Sequence, residues 1–404
     1  MKMSPQLHGE SPERASPAGV CQCLSIPDGP DKHDESSAVT YLARRDLLVV
    51  GALVRGHRHK HEGTNCDDWF EVATTGNWTF IAVSDGAESR KLSRVGARAA
   101  CVAAVEHLRR SLGSPDGSDE FAPPDLERMR RAVQDAMGAG RKGVEEAFCA
   151  RADGPEYGLV LGRAPTLDDL SCTLLVTVHW TAGDGPGGES RVVSCQIGSG
   201  ITGGIVGDRG TLVLLGRADS GEDSSQTDFL TSGSLASSKE SLDARTFSFT
   251  GRLRTLVSMT DGVSNVYEPE NPHLLRLEAD LVLNGVLPGP QSSDEAAAAA
   301  LEGTHLSSLD ALRRDPPGYR SNSTIHCKQR PVHVWSLQPH YAEALGVEWQ
   351  DIVREPDLLA AGRDDVRPAL PPEEHLRLWL DALQAGGEFD DRTLVVLHRG
   401  WDAP

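Results

Sequence analysis

Four acidic turns punctuate this chain, and three of them abut apolar, strand-like runs: Asp85 follows FIAV, Asp261 follows LVSM, and Asp390-Asp391 precede TLVVL, with Asp67-Asp68 as the fourth. A carboxylate at the end of a buried strand is costly to leave unpaired. Several that converge there repel one another unless a cation neutralises them, so the pattern points to bound divalent metal. Glycine after Asp85 and after Asp261 permits a tight turn and close backbone approach, which lets the carboxylate or a main-chain carbonyl face an ion.

A chain of 404 residues, 39% hydrophobic and 25% charged, has the composition of a globular protein with one large domain or two ordinary ones. Its formal net charge of −19 argues against a surface that tracks nucleic-acid phosphates or anionic lipid, so neither nucleic acid nor membrane is an expected partner. A locally positive cleft is compatible with that charge. The first residues contain no continuous apolar h-region, and no run of ~18 apolar residues follows, so a cytoplasmic location is expected. Cys101, Cys149, Cys172 and Cys195 fall in expected helices and strands, which suits reduced, buried thiols, while nothing near Cys21 and Cys23 completes a zinc site.

Residues 1–46, rich in Ser, Pro, Gly and charge, read as a flexible leader, and residues 47–400 as the folded domain. The run LLVVGALV, followed by WFEVA and WTFIAV around the turn Thr75-Gly76-Asn77, predicts three antiparallel strands. Ser93 is placed to cap a helix with Val95, Ala99, Val102, Val105 and Leu108 on one face. A second helix is predicted between Pro124 and Cys149 from the spacing of Leu126, Met129, Val133 and Met137. CTLLVTVHW, RVVSCQIG, GGIVG and TLVLLG, separated by glycine-rich turns, read as a β-meander and favour stacked antiparallel sheets. Residues 217–243 read as a flap-like loop and residues 267–371 as an insertion. The pattern resumes at EEHLRLWLDAL, a helix with Leu376, Leu380 and Leu383 in line, and then the strand TLVVLH.

In their order along the chain, EGTNCDDWFEV, FIAVSDGAESRKLSRVGARAA, DDLSCTLLVTV, QIGSG, SQTDFLTS, LVSMTDGVSN and GEFDDRTLVVL resemble the motifs of metal-dependent protein phosphatases of type 2C, in particular the bacterial single-domain serine/threonine branch. The resemblance implies an α+β fold, a four-layer sandwich of two stacked antiparallel β-sheets flanked by α-helices, with two Mg²⁺ or Mn²⁺ ions at one edge. It further implies that Asp85 bridges both metals and that Gly86 offers its carbonyl to one. Asp261 and Asp390 complete the other, and Asp67 or Asp68 serves the Gly86 side. Asp85, Asp261 and Asp390 would then be the essential residues of a water-driven hydrolysis of phosphoserine and phosphothreonine, with phosphorylated proteins as substrates and a serine/threonine kinase as a partner. No GxxxxGK[ST] loop or kinase signature is present, which leaves water as the natural acceptor.

The chain departs from the family pattern at Asp67, where members usually carry Glu or Gln, and at Ser199, where many carry an Asp that helps to bind a third metal. Gly63 stands where some members have an arginine, and Arg58, Lys60, His59 or His61 is the candidate replacement. The string HRHKH also invites a zinc reading, because His57, His59 and His61 on a strand would share one face. The better expectation is a solvated basic lip in which Arg58, His59 and His61 meet the phosphate. Ser93 reads as a cap, Arg90 as a surface charge, Asp168-Asp169 as a solvated turn, and Thr173 and Cys172 as packing. Asp391 reads equally as a partner of a metal-bound water or as a plain turn residue. Two other functions fit this sequence: a pseudophosphatase serving as a phosphoprotein-binding or regulatory module, and a hydrolase of small phosphoesters. Clustered carboxylates favour catalysis, since a scaffold has no physical need of them.

Overall fold

A computed structural model of the chain describes residues 24–26, 28–33, 36–44, 47–113, 123–181, 188–206, 211–216, 218, 228–233, 235–267, 274, 277–278, 281, 286–287, 371–383 and 390–399. One antiparallel sheet contains, side by side, β1 (Ser36–Arg44), β2 (Leu47–Val54), β11 (Arg392–Arg399), β10 (Leu253–Met259), β7 (Ile201–Val206) and β8 (Thr211–Leu214). The other contains β3 (Trp69–Thr75), β4 (Trp78–Ser84), β5 (Leu174–Thr181), β6 (Ser190–Ile197) and β9 (Thr246–Gly251). The chain also forms α1 (His57–Glu62), α2 (Ser93–Leu112), α3 (Leu126–Cys149), α4 (Pro155–Leu161), α5 (Lys239–Ala244), α6 (Asp261–Ser264) and α7 (Pro372–Ala382).

Side-chain alternation along the strands builds three apolar layers. Leu47, Val49 and Leu53 of β2 meet Ile81 and Val83 of β4 between the sheets. Val50, Ala52 and Val54 turn the other way, onto Leu376, Trp379 and Leu380 of α7. Phe80 and Ala82 pack beneath α2 and α3, against Ala104, Leu108 and Met137. Both faces of β2 and β4 are therefore covered, which is why these strands read as continuous apolar runs. The result is the four-layer α+β sandwich, helices outside and sheets within.

Several local expectations change. LLVVGALV does not join the WFEVA–WTFIAV hairpin but pairs with β1 and β11 in the opposite sheet. The expected meander is likewise shared: β5 and β6 stay in one sheet while β7 and β8 lie in the other. The hand-over occurs at Gly198-Ser199-Gly200, where both glycines adopt positive φ, 101° and 92°. Part of the expected leader is ordered, because SSAVTYLAR supplies strand β1, whose Val39 packs on the layer between the sheets.

The expected insertion begins as core. Tyr267, Leu274, Leu277, Leu281, Val286 and Leu287 are buried in the layer beneath α7, and Glu278 makes an ion pair with Arg254 at 2.6 Å. Residues 288–370, and most of the first half of the expected flap, lie outside the described residues, as do Cys21 and Cys23. Helix α2 starts at Ser93 without a side-chain cap, and Ser93 Oγ instead donates to the Arg90 carbonyl at 2.7 Å. Its buried stripe joins the expected Val95, Val105 and Leu108 with small residues, Ala97, Ala100, Cys101 and Ala104, and Val102 is 44% exposed. The helix is pressed so closely onto its neighbours that a Cβ on Gly96 would stand 1.9 Å from the Leu170 carbonyl oxygen. Cys66, Cys101, Cys172 and Cys195 are free and buried, but Cys149 is exposed.

Candidate metal centre

Antiparallel register brings the acidic turns together. Trp69 pairs with Ser84, so Asp67-Asp68, just before β3, stand beside Asp85, just after β4. Met259 pairs with Leu394, so Asp261, just after β10, stands beside Asp390-Asp391, just before β11. One pair of strands belongs to each sheet, and the two pairs open at a common edge. Thr260 and Thr393 join them by donating to Asp68 Oδ2 at 2.8 and 2.7 Å.

Both Asp-Gly pairs serve this convergence through close approach. A Cβ on Gly86 would stand 2.6 Å from the Asp67 carbonyl oxygen, and one on Gly262 would stand 2.0 Å from that of Asp391. A side chain at either position would push the two halves of the site apart. Asp85 is held by Thr173, whose amide donates to the Asp85 carbonyl at 2.8 Å and whose Oγ1 accepts the Asp85 amide at 2.9 Å. Thr173 thus positions Asp85 and is more than packing.

Asp391 is the hub of the loops. Its Oδ1 accepts from the Gly56 amide at 2.6 Å and from His59 Nδ1 at 2.9 Å, and its Oδ2 accepts from the Asp67 amide at 2.6 Å. Burial alone would raise its pKa, but these donors hold it below the usual carboxylate value. His59 behaves oppositely: although burial pulls it down, the hydrogen bond to Asp391 lifts it to about 9.

The other carboxylates crowd one another. Burial, then the charge of Asp391, pushes Asp67 up to about 7. Burial, then Asp391 and Asp261, pushes Asp390 up to about 6. Asp85 and Asp68 lie well above the usual value, first from burial and then from neighbouring aspartates. Asp68 Oδ1 is buried and finds no donor among the described residues. Repelling carboxylates with an unsatisfied buried oxygen are what a divalent cation would neutralise, so the residues present fit such an ion. Oxygen or nitrogen atoms of His59, Asp390 and Asp391 also lie within 4.8 Å of one another. The His59 ring is engaged with Asp391 by hydrogen bonding, which favours a positioning role for it over ligation.

The string HRHKH forms helix α1 and not a strand, so the three histidines do not share one face, and His59 lies apart from His57 and His61. His59 is buried on Asp391, whereas His61 is exposed. Lys60 points inward to a buried ion pair with Asp381 of α7. Arg58 is half exposed and pairs with Glu62 at 3.2 Å and with Glu88. Arg58, His59 and Asp67 line one cavity of about 270 Å³ beside the acidic cluster, a cavity that His61 does not line. Ser199 Oγ lies 3.5 Å from Asp85 Oδ2. Asp169 is not solvated: it is buried, accepts from Thr166 and pairs with Arg163 at 2.6 Å. The threonines at positions 173, 260 and 393 were missed as site residues, since a threonine in or beside a strand carries no distinguishing pattern.

A family model described as protein phosphatase 2C matches residues 55–282, more than half of the chain. The chain belongs to the protein phosphatase 2C family. Asp390 and Asp391 lie beyond the matched stretch and reach the site through the pairing of β10 with β11. Among solved structures, RsbX in complex with magnesium is 10% identical, with a TM-score of 0.33, over 90% of this chain and 100% of that one. A serine/threonine phosphatase from S. agalactiae is 11% identical, with a TM-score of 0.35, over 90% of this chain and 99% of that one. A phosphatase from Toxoplasma gondii is 10% identical, with a TM-score of 0.40, over 90% and 96%. Comparison with curated proteins gave no match. Family membership makes this a protein phosphatase of a metal-dependent class, with an acidic cluster able to hold metal. No helix among the described residues is long and apolar enough to cross a membrane.

Proposed function

We propose that this phosphatase 2C member hydrolyses phosphoserine and phosphothreonine in proteins with two Mg²⁺ or Mn²⁺ ions. The observation that carries the reading is the convergence of Asp68, Asp85, Asp261 and Asp390 from the strand ends of two sheets, where burial and then neighbouring carboxylates raise the pKa values of Asp68, Asp85 and Asp390. In this reading Asp85 would hold both ions, the Gly86 carbonyl with Asp67 or Asp68 would hold one, and Asp261 with Asp390 would hold the other. Hard cations that favour oxygen ligands and retain waters suit such a sparse carboxylate set. When bound, the ions supply an easily ionised water for in-line attack and offset charge on the phosphoryl oxygens.

The chain's own residues do the positioning. Thr173 fixes Asp85, Thr260 and Thr393 fix Asp68, and Asp391 fixes the loop that carries Asp67 through its amide and through Gly56 and His59. Arg58 and His59 line the adjoining cavity already paired, Arg58 with Glu62 and Glu88 and His59 with Asp391, so neither is assigned to the phosphate, and His61, exposed on α1, does not line the cavity. A binding-only role is disfavoured, because a scaffold gains nothing from crowded carboxylates.

The test is phosphate release from a phosphothreonine peptide with Mn²⁺, with Mg²⁺ and with chelator. Release that requires metal and falls at least about 100-fold in Asp261→Asn, with unfolding unchanged, is expected. Equal release by Asp261→Asn would sink the ligand assignment.

A further inference from the structure

Residues 24–26 and 28–33, which belong to the expected leader, form a strap across the domain. Leu24 is fixed at one end: its amide donates to the Lys60 carbonyl at 2.7 Å, and its carbonyl accepts from the buried Arg55 at 2.6 Å. At the other end His33 stacks on Trp69 at 4.6 Å, and its Nδ1 contacts the Cys66 carbonyl at 2.6 Å. Between them Asp31 takes a left-handed backbone, φ 53°, an uncommon conformation for any residue but glycine. It is held there by Arg151, at 2.7 Å to each carboxylate oxygen, and by the Tyr157 hydroxyl at 2.7 Å. A strained turn tied by a bidentate ion pair argues for a segment whose position matters.

The strap walls one side of the 270 Å³ cavity beside the metal centre. Two of the cavity's cations are neutralised: Lys32 pairs with Asp28 at 3.2 Å, and Arg58 pairs with Glu62 and Glu88. Arg94 donates to the carbonyls of Asp31 at 2.9 Å, Pro30 at 3.2 Å and Lys91, so its hydrogen bonds seat the strap, and its charge is opposed by Asp67 and Asp31. Two cations are left without an ion pair among the described residues. Lys91 Nζ donates to the Val160 carbonyl at 3.1 Å. The Arg90 side chain makes no hydrogen bond or ion pair among the described residues. In a chain of net charge −19, a cavity lined by five Arg and Lys side chains against the four carboxylates of Asp28, Glu62, Asp67 and Glu88 is a local reversal of sign. Asp67 lines this cavity, but Asp85, Asp261 and Asp390 do not, so it adjoins the reacting centre without containing it.

We propose that this cavity is a specificity subsite for an anionic group flanking the phosphorylated residue, either an acidic side chain or a second phosphate, with Arg90 as the contacting cation and the strap as its wall. The subsite rests on the reading of the chain as a phosphoprotein phosphatase.

The experiment uses the full chain and three phosphothreonine peptides, with alanine flanks, aspartate flanks or a neighbouring phosphoserine. Binding is followed by fluorescence anisotropy in chelator, and kcat/KM is measured in Mn²⁺. Both anionic peptides, or the doubly phosphorylated one alone, are expected to exceed the alanine peptide about tenfold in each readout, the size of one charge-assisted contact. Arg90→Glu should remove the preference, and Asp31→Ala, which releases the strap from Arg151 and Tyr157, should reduce it. Arg110→Glu, on an exposed arginine at the far end of α2, should retain it. Equal binding of all three peptides, or a preference that survives Arg90→Glu, would overturn the subsite. A preference unchanged in Asp31→Ala would overturn the strap as its wall. Anionic preference in binding without metal-dependent release from any peptide would overturn the phosphatase reading and leave the subsite standing.

Discussion

The layer beneath α2 and α3 and the acidic edge of the sandwich are equally buried and oppositely built. Phe80, Ala104, Leu108 and Met137 are all 0% exposed among apolar neighbours. Asp68 and Asp391 are each 1% exposed with other carboxylates beside them. Burial stabilises the first region outright, at roughly 25 cal/mol per Å² of apolar surface removed from water. It works against the second, where each buried charge needs a donor or a cation. The contrast teaches where each property resides: the layers hold the fold, and the edge holds unfavourable electrostatics ready for metal.

Phe80→Ala is the change that would break this contrast with the largest effect on stability. It should cost about 3–5 kcal/mol in denaturant unfolding. A cost below about 1 kcal/mol would show that this layer does not carry the fold. At the edge, Asp391→Asn sharpens the comparison, since it keeps the shape and removes the charge that gathers Gly56, His59 and Asp67. Mn²⁺ affinity should fall roughly 10–100-fold, as when the outer partners of metal ligands are lost, with a smaller loss of stability than in Phe80→Ala. Unchanged affinity would reduce Asp391 to a turn residue.

The smallest effect is one of pH. Asp67 and Asp390, ordinarily near 3.8, titrate at about 7 and about 6 in the fold, so without metal the folded chain binds protons that the unfolded chain has released. Stability should therefore fall as pH rises from about 4 to about 7. His59, raised from 6.5 to about 9, adds stability that is complete below 6.5 and is lost as pH rises through 9, the same direction. Asp391 is lowered from 3.8, so its contribution is lost only in acid below that window. In chelator the melting temperature should be lower at pH 8 than at pH 5, and saturating Mn²⁺ should narrow the gap. A metal-free melting temperature that rises with pH would contradict the crowding of these carboxylates.

Much of this arrangement was legible in the sequence. The strand runs, α3, the α7 stripe of Leu376, Leu380 and Leu383, and the acidic turns follow from periodicity and from Asp-Gly chemistry, which are local. What failed was non-local or small. The assignment of β2 to the opposite sheet from β3 depends on β11, more than 300 residues away in sequence, and no local pattern encodes such a pairing. On the α2 face Val95, Val105 and Leu108 are buried as expected, but Val102 is 44% exposed, because Ala97, Ala100, Cys101 and Ala104 fill the stripe between them. SSAVTYLAR was hidden by its polar start, and HRHKH, expected as a solvated basic lip, instead turns His59 and Lys60 inward, because five residues show no periodicity that fixes which of them face the core. The roles of Thr173, Thr260 and Thr393 emerge only once four strand ends are brought together.

The central claim is that the clustered aspartates at this edge hold divalent cations. Calorimetric titration of the metal-free full chain with Mn²⁺, beside Asp85→Asn, tests it most directly. The account predicts about two bound ions for the native chain, set by the carboxylates that surround Asp85, and loss of that binding in a variant that remains folded. Absence of saturable binding to the folded native chain, or binding unaltered by Asp85→Asn, would contradict it.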